Sequence, residues 1–298
     1  MSNASPLLFT VDALSPETYA AGADLDSLVK KLVDQALDIV VATPEWPKGK
    51  VFNAKHRVAD GGPVQTRSKK SGMGGRAGKC SWHMRESVHP TEGTGLTYDD
   101  FRSGLLLDHA AHEMEYIPGL VGTKTLEVLK AGSTSVILNS YKLPMVTADR
   151  DFLELLITVD LPAHAAPLSP AHRAAIAELT ELGINPSPPS TAAEAGGLRS
   201  FLVVQVPVTH PDAPEQKNYV RGAYASVEAV YEASGPTGLE THWKMATQSD
   251  AKGSIPLFLS ESSLPGKISE DVPEFVHWAQ GRHIKSDTSA TPAAPAAA

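Results

Sequence analysis

Between positions 24 and 42 apolar residues recur at helical spacing. Leu25, Leu28, Val29, Leu32, Val33, Ala36, Leu37 and Val40 fall on one stripe, and Pro44 and Pro47 stop the run. The pattern predicts an amphipathic helix. From position 80 the period changes to two. In 152–161, Leu153, Leu155, Ile157 and Val159 share a face. In 238–248, Leu239, Trp243 and Met245 oppose Glu240, His242, Lys244 and Gln248. Together with 80–88, 125–131, 134–143, 199–209 and 220–233, these segments give about seven predicted strands. Such alternation marks sheets with one covered face and one wet face.

Three more helices punctuate the strands. Thr97 opens one that runs to Ile117, with Asp100 at the capping-box position and Pro118-Gly119 as its stop. Ser169, Pro170 and Gly183 bracket another at 170–182, within an insertion over 163–198. Val272, Phe275, Val276 and Ala279 form the stripe of the last, at 271–280, which Gly281 ends. Short turns between consecutive strands imply antiparallel pairing. A sheet of this width curls as it twists, and its concave face needs a cover, which the terminal helix supplies. The expected architecture is α+β, a curved antiparallel sheet wrapped on the C-terminal helix around an internal cavity. The expected division is a helical segment at 1–47, a loop at 48–79, the main domain at 80–281 and a disordered tail at 282–298.

The composition is that of an ordinary globular chain: 298 residues, 42% hydrophobic and 20% charged. A net charge of −8 argues against nucleic acid as a partner of the whole surface. Cys80 is the single cysteine, so an intramolecular disulfide and a multi-cysteine zinc module are excluded. One cysteine, no basic leader and no long apolar run lead to the expectation of a cytoplasmic protein. The segment 48–79 stands apart, with nine basic residues against Asp60 alone and six glycines between 61 and 78. It reads as a flexible basic loop, able to make transient contact with an anionic membrane at roughly 1 kcal/mol per well-placed Lys or Arg.

Candidate chemistry is sparse. SGMGGRAGK (71–79) lacks phosphate-loop spacing, because Met73 stands where a glycine is needed and Cys80 follows Lys79. In DHAAHEME (108–115), His109, His112 and Glu113 lie on neighbouring turns of a helix. A metal site is conceivable there, but the H-E-x-x-H order is absent. The company of Phe101, Leu105 and Tyr116 favours a pocket-lining or structural role. Cys80 and His83 point to opposite faces of a strand, so Cys80 reads as a small buried apolar residue beside Trp82 and Met84. Asp149-Arg150-Asp151 precedes a strongly apolar strand. It reads either as a salt-bridged entry or as a polar anchor reaching into a cavity. No catalytic residue, metal or cofactor is assigned.

Three longer patterns resemble a known family. They are WHMRESVHP (82–90) with TYDDFRSGLLLDHAAHEMEYI (97–117), YKLPMVTADRDF (141–152), and WKMATQSDAKGSIP (243–256) leading into VPEFVHW (272–278). Together they are similar to START-like, helix-grip lipid-binding domains, and more narrowly to the fungal DUF3074 branch, over about 80–281. SDAKGSIP departs from the pattern by having a single glycine, and the 163–198 insertion is long. The resemblance implies a hydrophobic tunnel between the sheet and the C-terminal helix. It carries Tyr141, Arg150, Asp151, Trp243, Met245, Phe275, Val276 and Ala279 into the wall of that tunnel. Arg85 and His109 are added because each sits among apolar neighbours in a wall element. The reading that follows is a non-catalytic carrier or sensor of a hydrophobic small molecule, lipid or sterol-like. The alternative is an enzyme of cyclase or isomerase type working on a hydrophobic natural-product intermediate in the same pocket. A third is an interaction module acting through the tail or the basic loop.

Overall fold

The computed structural model describes residues 7–20, 23–71, 79–143, 147–179 and 181–289. Its strands are β1 (Lys48–Phe52), β2 (Val64–Lys70), β3 (Ser81–Pro90), β4 (Leu120–Lys130), β5 (Thr134–Tyr141), β6 (Asp149–His164), β7 (Leu198–Pro207), β8 (Tyr219–Arg221), β9 (Ala223–Gly235) and β10 (Gly238–Asp250). Its helices are α1 (Pro16–Tyr19), α2 (Leu25–Ala42), α3 (Thr91–Thr94), α4 (Tyr98–Phe101), α5 (His109–Tyr116), α6 (Pro170–Ala177), α7 (Ala192–Ala195) and α8 (Leu257–Ser289). The strands form one sheet in the order β1-β2-β3-β10-β9-β7-β6-β5-β4, with β8 alongside β6. Every pairing is antiparallel except β6 with β8.

Helix α2 forms where its spacing predicts. Asp24 caps it by accepting from the Ser27 amide, and Leu28, Val29, Leu32, Val33, Ala36, Leu37 and Val40 are buried. They pack on the outer face of the sheet, against Leu153, Leu155, Ile157, Val159, Leu202, Val204, Val227 and Ala229. Burying one such side chain contributes about 1.5–3 kcal/mol, which fixes the helix in place. The other face carries a second cluster, built from Phe101, Leu105, Tyr116, Ile137, Phe201, Val230, Trp243, Val272, Phe275 and Val276. Both faces are therefore covered, rather than one. The N-terminal segment is the outer layer of the same unit, and its Leu14 bridges to Val208 at the end of β7.

The expected flexible loop at 48–79 is corrected over its described part. β1 and β2 extend the sheet beyond β3. Val64 and Thr66 turn inward and are buried, while Lys69 and Lys70 are exposed. The inward alternation is short, and the lysines that mask it are typical of an edge that must not pair with another chain. Residues 72–78 lie outside the described residues.

Two helices also differ from expectation. The predicted 97–117 helix starts as expected, with Thr97 and Asp100 forming a capping box. It then changes character. Arg102–Leu106 is a π-helical turn, Leu107 is extended, and Asp108 adopts a left-handed conformation at φ 47° before α5 begins. The terminal helix is longer than the predicted 271–280 and runs through Pro265 and Pro273 to Ser289. Part of the expected disordered tail is thus helical, and 290–298 lies outside the described residues. A proline at 273 removes the amide that would bond the Ser269 carbonyl. The Asn53 side chain donates to that carbonyl instead, at 3.4 Å. One residue earlier, the Ile268 carbonyl accepts from Arg85 Nε at 2.7 Å. Asn53, which follows β1, thus stands in where the proline interrupts the helix ladder.

Candidate functional site

The register of the sheet places polar side chains in rows across its inner face. Thr66, Arg85, Met245 and Glu228 are successive partners on β2, β3, β10 and β9. His83, Thr247, Ser226 and Gln205 make a second row on β3, β10, β9 and β7. Ser87, Trp243, Val230 and Phe201 make a third. Directly opposed residues project from the same face. Apolar outer residues alternate with these rows, so the polar set faces α5 and α8.

Arg85 is wholly buried at the centre. Its guanidinium carbon lies 3.8 Å from the Trp243 ring centroid, and Nη2 stands 3.4 Å from Glu228 Oε2. The same Glu228 oxygen accepts from Trp243 Nε1 at 2.6 Å. Trp243, Phe275, Phe101 and Tyr116 form an aromatic wall with ring centroids 5.0–6.0 Å apart. Gly104, in the π-helical turn, lets this wall close. A Cβ there would lie 2.7 Å from Phe275 Cε2 and 2.8 Å from Trp278 Cζ3.

His109 enters the same space from α5. The Leu105 carbonyl accepts from its Nδ1 at 2.6 Å, and Nε2 faces Glu113 Oε1 at 3.4 Å. Burial opposes a charge on this imidazole, but Glu113 and Glu228 outweigh it and hold its pKa at about 9. Asp271, from α8, has its carboxyl pushed up to about 8 by burial. Arg85 opposes that rise, and Glu228 and Glu113 add to it. Glu154, on the inner face of β6, is also pushed well upward by burial.

Tyr141, Tyr224 and Asp271 are only half-buried, yet burial pushes both phenols well above their usual range. Met245, in the Arg85 row, is likewise only half-buried.

The sequence-predicted residues divide. Arg85, His109, Trp243 and Phe275 come together, and Val276 and Ala279 join the same inner cluster. Met245 stands beside Arg85, and Tyr141 lies further along, edge-on to Phe152 at 5.5 Å. Arg150 and Asp151 are occupied elsewhere. Arg150 is buried, and the carbonyls of Ala148, Ala251 and Lys252 accept from its guanidinium. It pins the turn after β10. Asp151 has the parity of the outward-facing Leu153 and makes a two-pronged pair with Arg221, at 2.8 and 2.9 Å. Sequence reading missed Glu228 and Asp271. A lone acid inside ASVEAVY was the available signal for Glu228, since alternation puts it on the face of Val230.

The family model described as "Protein of unknown function (DUF3074)" matches residues 82–279, which span the site. The chain belongs to this family. Another protein, the uncharacterized protein C577.11 of Schizosaccharomyces pombe, is 23% identical over 279 residues, covering 91% of this chain and 95% of that one. Among solved structures, human StAR-related lipid transfer protein 5 superposes with a TM-score of 0.59 at 12% identity, covering 86% of this chain and 97% of that one. Human STARD10 gives 0.51 at 15% identity, covering 87% and 88%. This DUF3074 member therefore has the START-like, helix-grip fold. Among its described residues no helix is long and apolar enough to cross a membrane.

Proposed function

We propose that this protein binds a hydrophobic small molecule, lipid or sterol-like, between the inner face of the sheet and α8, as a carrier or sensor. The observation that carries the reading is the inner face of the sheet beneath α8, where an aromatic wall stands beside the half-buried Tyr141, Tyr224, Met245 and Asp271. Its aromatic wall supplies apolar surface, and burial of the cargo contributes roughly 25 cal/mol per Å². The polar rows are concentrated on β3, β9 and β10 and would orient one end of the cargo. The likeness in fold to a protein named for lipid transfer supports the same reading. Exchange requires α8 to move, and the interrupted helix bonds near Pro273 mark where it would bend.

The test is mass spectrometry of the full chain purified from its own cells, under native and denaturing conditions, with extraction of anything released. A stoichiometric apolar molecule is expected. An empty protein that also fails to take up sterols, fatty acids or phospholipids from a panel would end the proposal.

One observation favours the second reading, an enzyme of cyclase or isomerase type. His109 and Glu113 form an acid–base pair over the inner face of the sheet. Turnover of the extracted molecule, abolished in His109→Ala with binding retained, would select the enzyme over the carrier.

We propose a membrane contact through the described part of 48–79. Lys48, Lys50, Lys69, Lys70 and Val51 are exposed on β1, the edge strand, and on its neighbour β2, and could meet an anionic surface electrostatically. Lys48→Glu with Lys50→Glu should then weaken flotation with vesicles containing phosphatidylserine and leave cargo affinity unchanged. Unchanged flotation would remove the membrane from the proposal.

A further inference from the structure

We propose that His109, Glu113 and Glu228 form a binding site for one divalent first-row transition cation. Each offers a ligand atom, and the three atoms lie within 4.8 Å of one another. All three residues are buried, and they come from two elements, α5 and β9. One imidazole and two carboxylates are a donor set suited to zinc, iron(II), cobalt or manganese.

One buried atom points to a missing partner. Glu113 Oε2 has no hydrogen-bond partner, while His109 Nε2 meets Glu113 Oε1 at 3.4 Å without forming a hydrogen bond. Unpaired polar atoms in the interior need a reason. A cation in place of that loose pair satisfies both residues.

The surroundings resemble a prepared ligand shell. The Leu105 carbonyl accepts from His109 Nδ1, which fixes the ring and turns Nε2 toward the two carboxylates. Trp243 Nε1 donates to one Glu228 oxygen and orients that carboxylate. Glu113 follows one turn after His109 on α5, at i+4.

The backbone that delivers His109 is itself unusual. A π-helical turn ends at Leu106, and Asp108, a non-glycine residue, takes a left-handed conformation directly before His109. A regular continuation of the helix would present a different face of α5. Such features cost free energy and are concentrated at functional sites.

Arg85 answers one of the two ligand carboxylates, Glu228. The cation would take the place of the proton between His109 and Glu113. Three protein ligands leave a coordination position open. There an oxygen atom of the cargo would bind. That role rests on the carrier reading, whereas metal binding does not.

The test uses the full chain stripped with chelator and free of cargo. Zn²⁺ titration by calorimetry, checked by elemental analysis after gel filtration, should give one ion per chain. Co²⁺ should give the visible absorption of a low-coordinate site. Glu113→Gln is close in shape and should weaken Zn²⁺ binding by about tenfold or more, and His109→Ala should abolish the cobalt bands. His112→Ala should retain both, because His112 is held by the Gly104 carbonyl outside the cluster. Absence of stoichiometric metal would overturn the proposal. So would binding that Glu113→Gln and His109→Ala leave intact while their circular dichroism stays native. Zinc bound without any cargo would uphold the site even if the carrier reading failed.

Discussion

The Arg85 guanidinium lies 3.8 Å over the Trp243 ring, and both side chains engage the same oxygen of Glu228. A cation, an aromatic face and a carboxylate from three adjacent strands thus lock one another on the inner face of the sheet. The arrangement explains how an arginine can be wholly buried. Its charge is met by Glu228, its flat face by Trp243, and its Nε by the Ile268 carbonyl of α8.

Removing one partner from this lock leaves the other exposed to a low-dielectric interior. Arg85→Ala is expected to destabilise the protein by about 3–5 kcal/mol, the range for breaking a buried ion pair. Arg85→Lys should cost less, because the charge remains while the stacking is lost. Urea denaturation followed by tryptophan fluorescence measures both. Equal stability of Arg85→Ala and the parent would mean that Glu228 needs no counter-charge.

Gly104 sits where Phe275 and Trp278 approach the π-helical turn. Gly104→Ala forces a methyl group into contacts of 2.7 and 2.8 Å and should cost about 1–3 kcal/mol as α8 is pushed outward. Thermal unfolding reads the loss. A parental Tm would show that α8 withdraws freely, contrary to the packing described.

His89 gives the protein a sensitivity to acid. Its ring is buried beside Phe101, with Nε2 2.8 Å from Ser87 Oγ, and burial with Arg85 lowers its pKa to about 3. Its ordinary value is 6.5. Below 6.5 the unfolded chain binds the proton and the folded chain does not. The stabilising effect of keeping this ring neutral is therefore full above 6.5 and is lost as pH falls toward about 3. His89→Gln should flatten the decline of the urea midpoint between pH 7 and about 4.5. An unchanged slope would assign the acid sensitivity to other groups.

Asp151 separates a structural role from a binding one. Asp151→Asn breaks the pair with Arg221 and should destabilise the fold by about 3–5 kcal/mol, with cargo affinity unchanged. Affinity measured on the folded variant decides the matter. A large loss would place Asp151 in contact with cargo, against its outward parity.

Period alone determined a good deal of this protein. The stripe of α2, the caps at Thr97 and Ser169 and the alternation of β6 and β10 were all written in local spacing, because burial on one face imposes a 3.6- or two-residue repeat. β1 and β2 were not legible, since lysines at an edge hide a short alternation. The break at Leu107 and Asp108 was not legible either, as the residues on both sides suit a continuous helix. What only tertiary structure decided was the fate of the polar residues. Arg85 and Glu228 are 143 positions apart and meet through the register of β3, β10 and β9. Arg150 and Asp151, equally plausible as cavity groups in the sequence, were claimed by the turn after β10 and by Arg221 of β8. A buried charge takes whichever partner the topology brings within reach, and strand order, unlike strand period, is a non-local property of the chain.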